Sequence, residues 1–421
     1  MENQKSVSRR RFLRNATGVA GGLAISSLGV RRATAQSNRA IKIGHQCDLT
    51  GALASSGYWR KKVTDAVAKW LNASGGIAGR PVEVITIDTE SKVDVGVLRM
   101  RQLIQEQKVD FVIGSEHGGI GIASNPIAQE LKTLYLSLCR TDAVNGKAAN
   151  PYSFHLQVNT SLTAQAAGGW MVGQTGKSWS ILYADYVWGH AHRDAWTRSV
   201  KAAGGSVLQA VSMPVNTIDP LPYISKLDRS IDAIFVALLA PDLPRAIPAL
   251  NQMGFATKQR VTADAIFSVF DVLGLGAQAN GIWGMDSLPW ELKDKDTPHM
   301  RLMRSAVGID EHGREIGSGN FCAMGDIWPA WENIGFLKRN IEAVGWKTRN
   351  DTSALIKYAE ANPNYPESDL FPQGPLFIRP EDHQAFCDYL TLRIENGKIR
   401  VKHRLPKEAG IYPATVNIAS R

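Results

Sequence analysis

Val109-Asp110-Phe111-Val112-Ile113-Gly114-Ser115-Glu116-His117-Gly118-Gly119-Ile120-Gly121-Ile122-Ala123-Ser124-Asn125-Pro126-Ile127-Ala128-Gln129-Glu130 is the stretch whose reading decides the fold. It begins with a short, almost continuous apolar run, the pattern of a strand buried on both faces of a parallel sheet. Glycines follow, and then a helix-compatible segment through Glu130. Strand, glycine-rich turn and helix in that order make half of a βαβ unit. Ligands of open α/β sheets sit outside the carboxyl ends of the strands, where such turns lie. The start of the helix offers free N–H groups, and Gly118 and Gly119 place no Cβ in front of them. The turn therefore suits an anion such as a carboxylate.

A dinucleotide is the competing occupant, because Gly119-Ile120-Gly121-Ile122-Ala123-Ser124 imitates the GxGxxG fingerprint. That fingerprint belongs to the first βα turn and needs an acid about 20 residues on. This turn follows the third strand, and Leu138-Cys139-Arg140-Thr141 supplies no such acid. A packing turn without any ligand is the plainer alternative.

Working outward, strands and helices alternate. Strands are expected at Ile41–His45, Val82–Asp88 and Thr133–Leu138 around the opening stretch. Gln46–Gly57 reads as a polar loop of small residues, and helices follow at Tyr58–Ala73 and Val93–Gln107. Ser74-Gly75-Gly76 is a glycine stop for the first of them. Strict alternation implies a parallel sheet with right-handed crossovers. The pattern then restarts, with strands at Trp179–Tyr183, Ser206–Val211, Ile231–Leu239 and Arg260–Ala263. Helices are expected from Gly189 to Ala203 and over Leu243–Met253. A second α/β unit after the first implies two lobes, and ligand sites favour the cleft between such lobes.

The amino terminus has a different character. Arg9-Arg10-Arg11-Phe12-Leu13 precedes an apolar stretch, Ala16 to Val30, and Ala33-Thr34-Ala35 forms an A-x-A cleavage site. Residues 1–35 thus read as a signal peptide of twin-arginine type, with Gln36 as the mature start and the periplasm as destination. Of 48 Lys and Arg and 39 Asp and Glu, seven bases and one acid fall in this segment, so the remainder carries 41 against 38. A net charge near +3 leaves no electrostatic footprint for nucleic acid. No later stretch approaches about 18 consecutive apolar residues, so no membrane span is expected. Cys47, Cys139, Cys322 and Cys387 are widely spaced without a CxxC, which supports neither metal nor thioredoxin-like chemistry. An exported chain can hold disulfides, and four cysteines permit three full pairings among which spacing does not choose.

Ile41-Lys42-Ile43-Gly44, Leu49-Thr50-Gly51 and Asn72-Ala73-Ser74-Gly75-Gly76-Ile77-Ala78-Gly79-Arg80-Pro81, taken in order, resemble the leucine-binding family. Phe111-Val112-Ile113-Gly114, Asp185 to Gly189 and Phe377-Ile378-Arg379-Pro380-Glu381-Asp382-His383-Gln384 continue the resemblance, which spans residues 40–405. Members are substrate-binding proteins of ABC importers with the type I periplasmic fold. The resemblance implies an α/β protein of two Rossmann-like lobes with parallel sheets joined by three crossings. These fall near His155–Val158, Ile282–Met285 and Gln373–Leu376. One lobe would comprise 36–156 and 285–373, the other 157–284 and 374–421. It implies a monomer that binds a small-molecule solute by hinge closure, serves ABC permease subunits and uses no cofactor or nucleic acid.

The resemblance also assigns a site. The turns after the third and fourth strands, here Glu116–Gly119 and Cys139–Asp142, would hold a ligand carboxylate, which brings in His117, Gly118, Gly119, Arg140 and Thr141. Gly118 and Gly119 stand where relatives often have serines, and Arg140 where they have a small residue. Asp264 would meet a ligand ammonium, and Trp188 stands in the place of a cleft tyrosine, with Tyr186 and Tyr58 beside the apolar end. Plainer roles exist for each. Arg140 could pair with Glu116 or Asp142, His117 could bond backbone, Trp188 could be core, and Asp264 could cap a helix. His190-x-His192 is not a metal pair by spacing, since i and i+2 do not share a helix face. Cys47 beside His45 is equally weak as a nucleophile, and no GxSxG, HExxH or P-loop occurs. An exported cofactor-dependent enzyme and an extracytoplasmic sensing protein of the same fold remain the alternatives.

Overall fold

The computed structural model describes residues 39–239, 241–262, 273–322 and 324–418. Its first half is an alternation of β1 (Ile41–Cys47), α1 (Ala54–Ala73), β2 (Val82–Asp88), α2 (Val93–Arg101), β3 (Phe111–Gly114), α3 (Gly118–Glu130), β4 (Leu134–Leu136) and β5 (Ser153–Phe154). These strands form one parallel sheet in the order β2-β1-β3-β4-β5. β3 is central and every residue in it is buried, whereas the edge strand β2 is half exposed. The apolar run that opens the decisive stretch is thus the middle of the sheet.

The alternation resumes with α4 (Thr160–Thr175), β6 (Ser178–Ala184), α5 (Val187–Ala202), β7 (Ser206–Met213), α6 (Leu221–Ile224), β8 (Ala233–Ala237), α7 (Asp242–Gln252), β9 (Arg260–Thr262) and β10 (Trp283–Asp286). α8 (Pro298–Val307), α9 (Met324–Val344) and α10 (Thr352–Ala361) follow. β11 (Asn364–Tyr365), β12 (Leu376–Ile378) and β13 (Ala385–Phe386) make a small antiparallel sheet, and the hairpin β14 (Tyr389–Glu395) and β15 (Lys398–Leu405) comes last. The second large sheet runs β15-β14-β10-β9-β8-β6-β7. Its strands β6 to β10 are parallel, and the final hairpin adds two antiparallel strands beyond β10.

One difference from the sequence reading bears on the site. β1 runs two residues further, to Cys47, and α1 begins at Ala54, inside the segment read as loop. Gly57 reads as a loop former, yet it sits where α1 meets the end of β1. A Cβ at Gly57 would lie 2.0 Å from the Asp48 carbonyl oxygen. The glycine permits close packing and does not break the helix. α1 is thereby pressed against the ends of the strands, and its first turn reaches the cavity described below.

The signal-peptide segment, residues 1–35, and Asp264 lie outside the described residues. No described helix is long and apolar enough to cross a membrane.

Candidate functional site

A cavity opens where the carboxyl ends of strands from both large sheets converge. It is lined by Ala52, Leu53, Ser55 and Ser56 after β1, Glu116 and Gly118 after β3, and Arg140 and Thr141 after β4. From the second sheet come Tyr186 and Trp188 after β6 and Leu239 after β8. The location follows the rule for open α/β sheets.

The turn from β3 into α3 is held from behind. Asp48, just past β1, is buried, and its carboxylate accepts hydrogen bonds from Thr89 Oγ1 at 2.5 Å and Ser115 Oγ at 2.6 Å. It also accepts from the backbone N–H of Glu116 at 2.9 Å and of His117 at 3.4 Å. An internal carboxylate therefore already takes two of the amides that the sequence reading offered to a ligand. Gly118 and Gly119 are the first two residues of α3, and N–H groups at those positions have no acceptor within the helix. Gly118 lines the cavity and sits where its two sides approach. A Cβ there would be 3.1 Å from Val187 Cγ1 and 3.2 Å from Thr141 Cγ2.

The charges of this wall are buried. Glu116 forms an ion pair with Arg60, which α1 brings in with only 1% of its surface exposed. Arg140 is 3% exposed and borders the cavity beside Thr141. Asp142 accepts hydrogen bonds from Ser161 N at 2.9 Å and Ser161 Oγ at 2.8 Å.

The opposite wall is aromatic. Trp188 stands edge-on to His192, with ring centroids 4.5 Å apart, and is stacked near Tyr186 at 6.1 Å. Burial, and after it the negative charge of Glu116, keeps the Tyr186 phenol well above its usual pKa, so it remains a neutral hydroxyl.

Of the nine residues assigned from the sequence, Gly118, Arg140, Thr141, Tyr186 and Trp188 are brought together around the cavity. His117 caps α3 instead, its Nδ1 accepting from Ile120 N at 3.4 Å, and burial lowers its pKa against an opposing pull from Asp48. Gly119 faces α2, where a Cβ would lie 2.9 Å from Val93 Cγ2. Tyr58 is half exposed on α1 and donates to Glu315 Oε1 at 2.5 Å. It opens on a neighbouring recess with Ser55, Trp59 and Asn320.

Ala52–Ser56, Glu116 as a wall residue, Leu239 and the anchoring Asp48 were not picked from the sequence. The rule that places ligands beyond carboxyl strand ends, applied to β1 and β8 as it was to β3, points to the first and third of these.

His45 is fully buried, and burial together with Arg60 and Lys61 pushes its pKa down to about 3. The Cys47 thiol donates to the Gly57 carbonyl at 3.2 Å, and burial raises its pKa, which keeps it protonated and unreactive. His190 contacts Asp185 at 2.8 Å, and among the described residues no three His, Cys, Asp or Glu side chains gather as a metal site.

Solved structures show the same fold at low sequence identity. A periplasmic binding protein from Burkholderia mallei is 21% identical with a TM-score of 0.74, over 90% of this chain and 98% of that one. A solute-binding protein of an ABC transporter from Rhodopseudomonas palustris HaA2, in complex with p-hydroxybenzoic acid, is 20% identical with a TM-score of 0.73, over 87% and 97%. The branched-chain amino acid transporter substrate-binding protein of Streptococcus pneumoniae, in complex with isoleucine, is 17% identical with a TM-score of 0.71, over 87% and 99%. The model of the periplasmic binding protein family matches residues 40–398, nearly all of the described chain. With that match, two α/β sheets and a cavity at their converging strand ends, the chain belongs to the periplasmic binding protein family.

Proposed function

We propose that this protein is the solute-binding component of an ABC importer and that its solute is a small carboxylate held between the two sheets. The observation that carries this reading is the pairing of walls across one cavity. One wall offers the start of α3, Arg140 and Thr141, and the other Tyr186, Trp188 and Leu239. A helix start carries about half a positive charge, and a guanidinium can add a charge-assisted hydrogen bond to a carboxylate. The ligands in the Rhodopseudomonas and Streptococcus structures, p-hydroxybenzoic acid and isoleucine, both carry that group.

Binding would close two lobes, 36–156 with 285–373 and 157–284 with 374–421, because a solute touching both walls favours the closed state by its differential affinity. The chain at His155 runs beside His383–Ala385, with His155 N donating to His383 O at 3.0 Å and Ala385 N to His155 O at 2.9 Å. That pairing suits one of the three proposed crossings. Residues 1–35 would be removed after export as a twin-arginine signal. N-terminal sequencing of periplasmic material should then start at or near Gln36, and a mature chain that keeps Arg9 and Arg10 contradicts it. No covalent step is required, and permease subunits would take the solute onward.

A thermal-shift screen tests the central reading. Amino acids, aromatic monocarboxylates and their neutral amides are compared, since a ligand that binds only the folded state raises the melting temperature. At least one carboxylate should raise it where the matching amide does not. Equal shifts by acid and amide would remove the carboxylate from the reading.

A further inference from the structure

We infer that the solute site is bipartite: a recess between the first turns of α1 and the loop 308–322 accepts an apolar, aromatic extension of the solute beyond the carboxylate pocket. The inference rests on the proposed function and asks what shape of carboxylate the cavity selects. Ser55 lines both spaces, so they adjoin at one side chain. The recess has a volume of about 400 Å³ and is bounded further by Tyr58, Trp59, Gly319, Asn320 and Phe321.

Its walls are aromatic and firmly held. Tyr58 and Trp59 meet edge to face at 5.3 Å, and Phe321 is covered on one side by the Arg314 guanidinium at 3.8 Å from the ring centroid. Trp290 stands 6.1 Å from Phe321. The loop is tied to α1 through Glu315, which accepts from Tyr58 and from Ser318 Oγ at 2.5 Å and pairs with Lys62. Those contacts hold the Glu315 carboxyl at a pKa of about 2. The backbone closes the loop as well, with Glu315 N donating to Asn320 O at 2.8 Å and Cys322 N to Gly313 O at 2.8 Å.

A pre-formed aromatic slot is suited to a flat ring, because little ordering is left to do on binding. Because the recess adjoins the cavity at Ser55, the far end of the same solute is its proposed occupant. The chemical class is an elongated arylcarboxylate, with its acid at α3 and Arg140, its first ring between Trp188 and Leu239, and a second ring past Ser55.

Calorimetry with benzoate and 4-(benzyloxy)benzoate tests this. The longer acid should bind roughly tenfold tighter or better, which is what burying part of one additional ring supplies. Asn320→Trp places a ring in the recess from an exposed loop position. It should abolish most of that advantage while leaving benzoate within about twofold and the unliganded melting temperature unchanged. Phe321→Ala should narrow the same gap by removing a wall, and it serves if the first variant folds poorly. No advantage for the longer acid, or a loss in Asn320→Trp shared equally by both acids, overturns the bipartite site while the carboxylate reading stands. Failure of both acids to bind the unaltered protein overturns the inference, while the carboxylate reading is decided by the thermal-shift screen, amino acids included.

Discussion

The first-sheet side of the cavity is charged and anchored, with Glu116 paired to Arg60, the β3–α3 turn tied to Asp48, and Arg140 buried at the rim. The second-sheet side presents Tyr186, Trp188 and Leu239, with rings packed on rings and few polar ties. The difference teaches a division of labour. Fixed dipoles and a buried cation select a head group only if nothing moves when the ligand arrives, so that wall carries the bracing. An apolar wall needs shape more than direction, so side-chain packing is enough there.

The largest expected effect breaks the bracing itself. Arg60→Ala should cost about 3–5 kcal/mol of unfolding free energy, the usual cost of removing one member of a buried ion pair. Urea denaturation measures it. A loss below about 1 kcal/mol would mean that the pair contributes no more than an exposed one and the charged wall is not braced by it.

Asp48→Ala probes the turn without touching the cavity lining. Two hydroxyls and two backbone N–H groups lose a charged acceptor, and a single hydrogen bond to a charged group is worth about 1.5–3 kcal/mol. Water can enter the space left, so a net loss of about 2–4 kcal/mol is expected, with carboxylate affinity lowered about tenfold or more. Unchanged affinity in a destabilised variant would show that α3 holds the turn alone.

The charged wall was also the more legible one in the sequence. Phe111–Gly114 followed by glycines announces a buried strand and a ligand turn that includes Gly118, while Arg140 and Thr141 come from the resemblance to the leucine-binding family, which points to the turn after the fourth strand. What stayed hidden depends on contacts between distant segments. Nothing local marks Asp48 as the acceptor for residues 115–117, which lie 67 to 69 positions away. Gly57 signals a loop until one sees that α1 must pass the Asp48 carbonyl. The antiparallel hairpin β14–β15 was missed because Tyr389–Leu405 follows the repeating α/β pattern rather than belonging to it.

Arg140→Ala comes next in size, removing the buried cation at the head-group end. Carboxylate ligands should weaken by roughly 1.5–3 kcal/mol, the worth of a charge-assisted hydrogen bond, while matched amides change little. Calorimetry that finds Arg140→Ala binding the acid as tightly as the unaltered protein would leave the α3 amides and Thr141 as the head-group site.

The smallest effect is expected across the cleft, at Trp188. Replacing it by leucine keeps an apolar surface of reduced size and removes the ring face that Trp188 shares with Tyr186. Aromatic pairing adds about 0.5–1.5 kcal/mol beyond the area buried, so a benzoate-type acid should lose roughly that much more than its saturated ring analogue. The two acids carry the same head group, so whatever Trp188→Leu does to the charged wall cancels in the comparison. Parallel titrations of benzoate and cyclohexanecarboxylate therefore isolate the aromatic contribution. Equal losses for both acids would mean that Trp188 merely fills space. The aromatic wall would then distinguish solutes by size alone, and the charged wall would carry the rest of the selectivity.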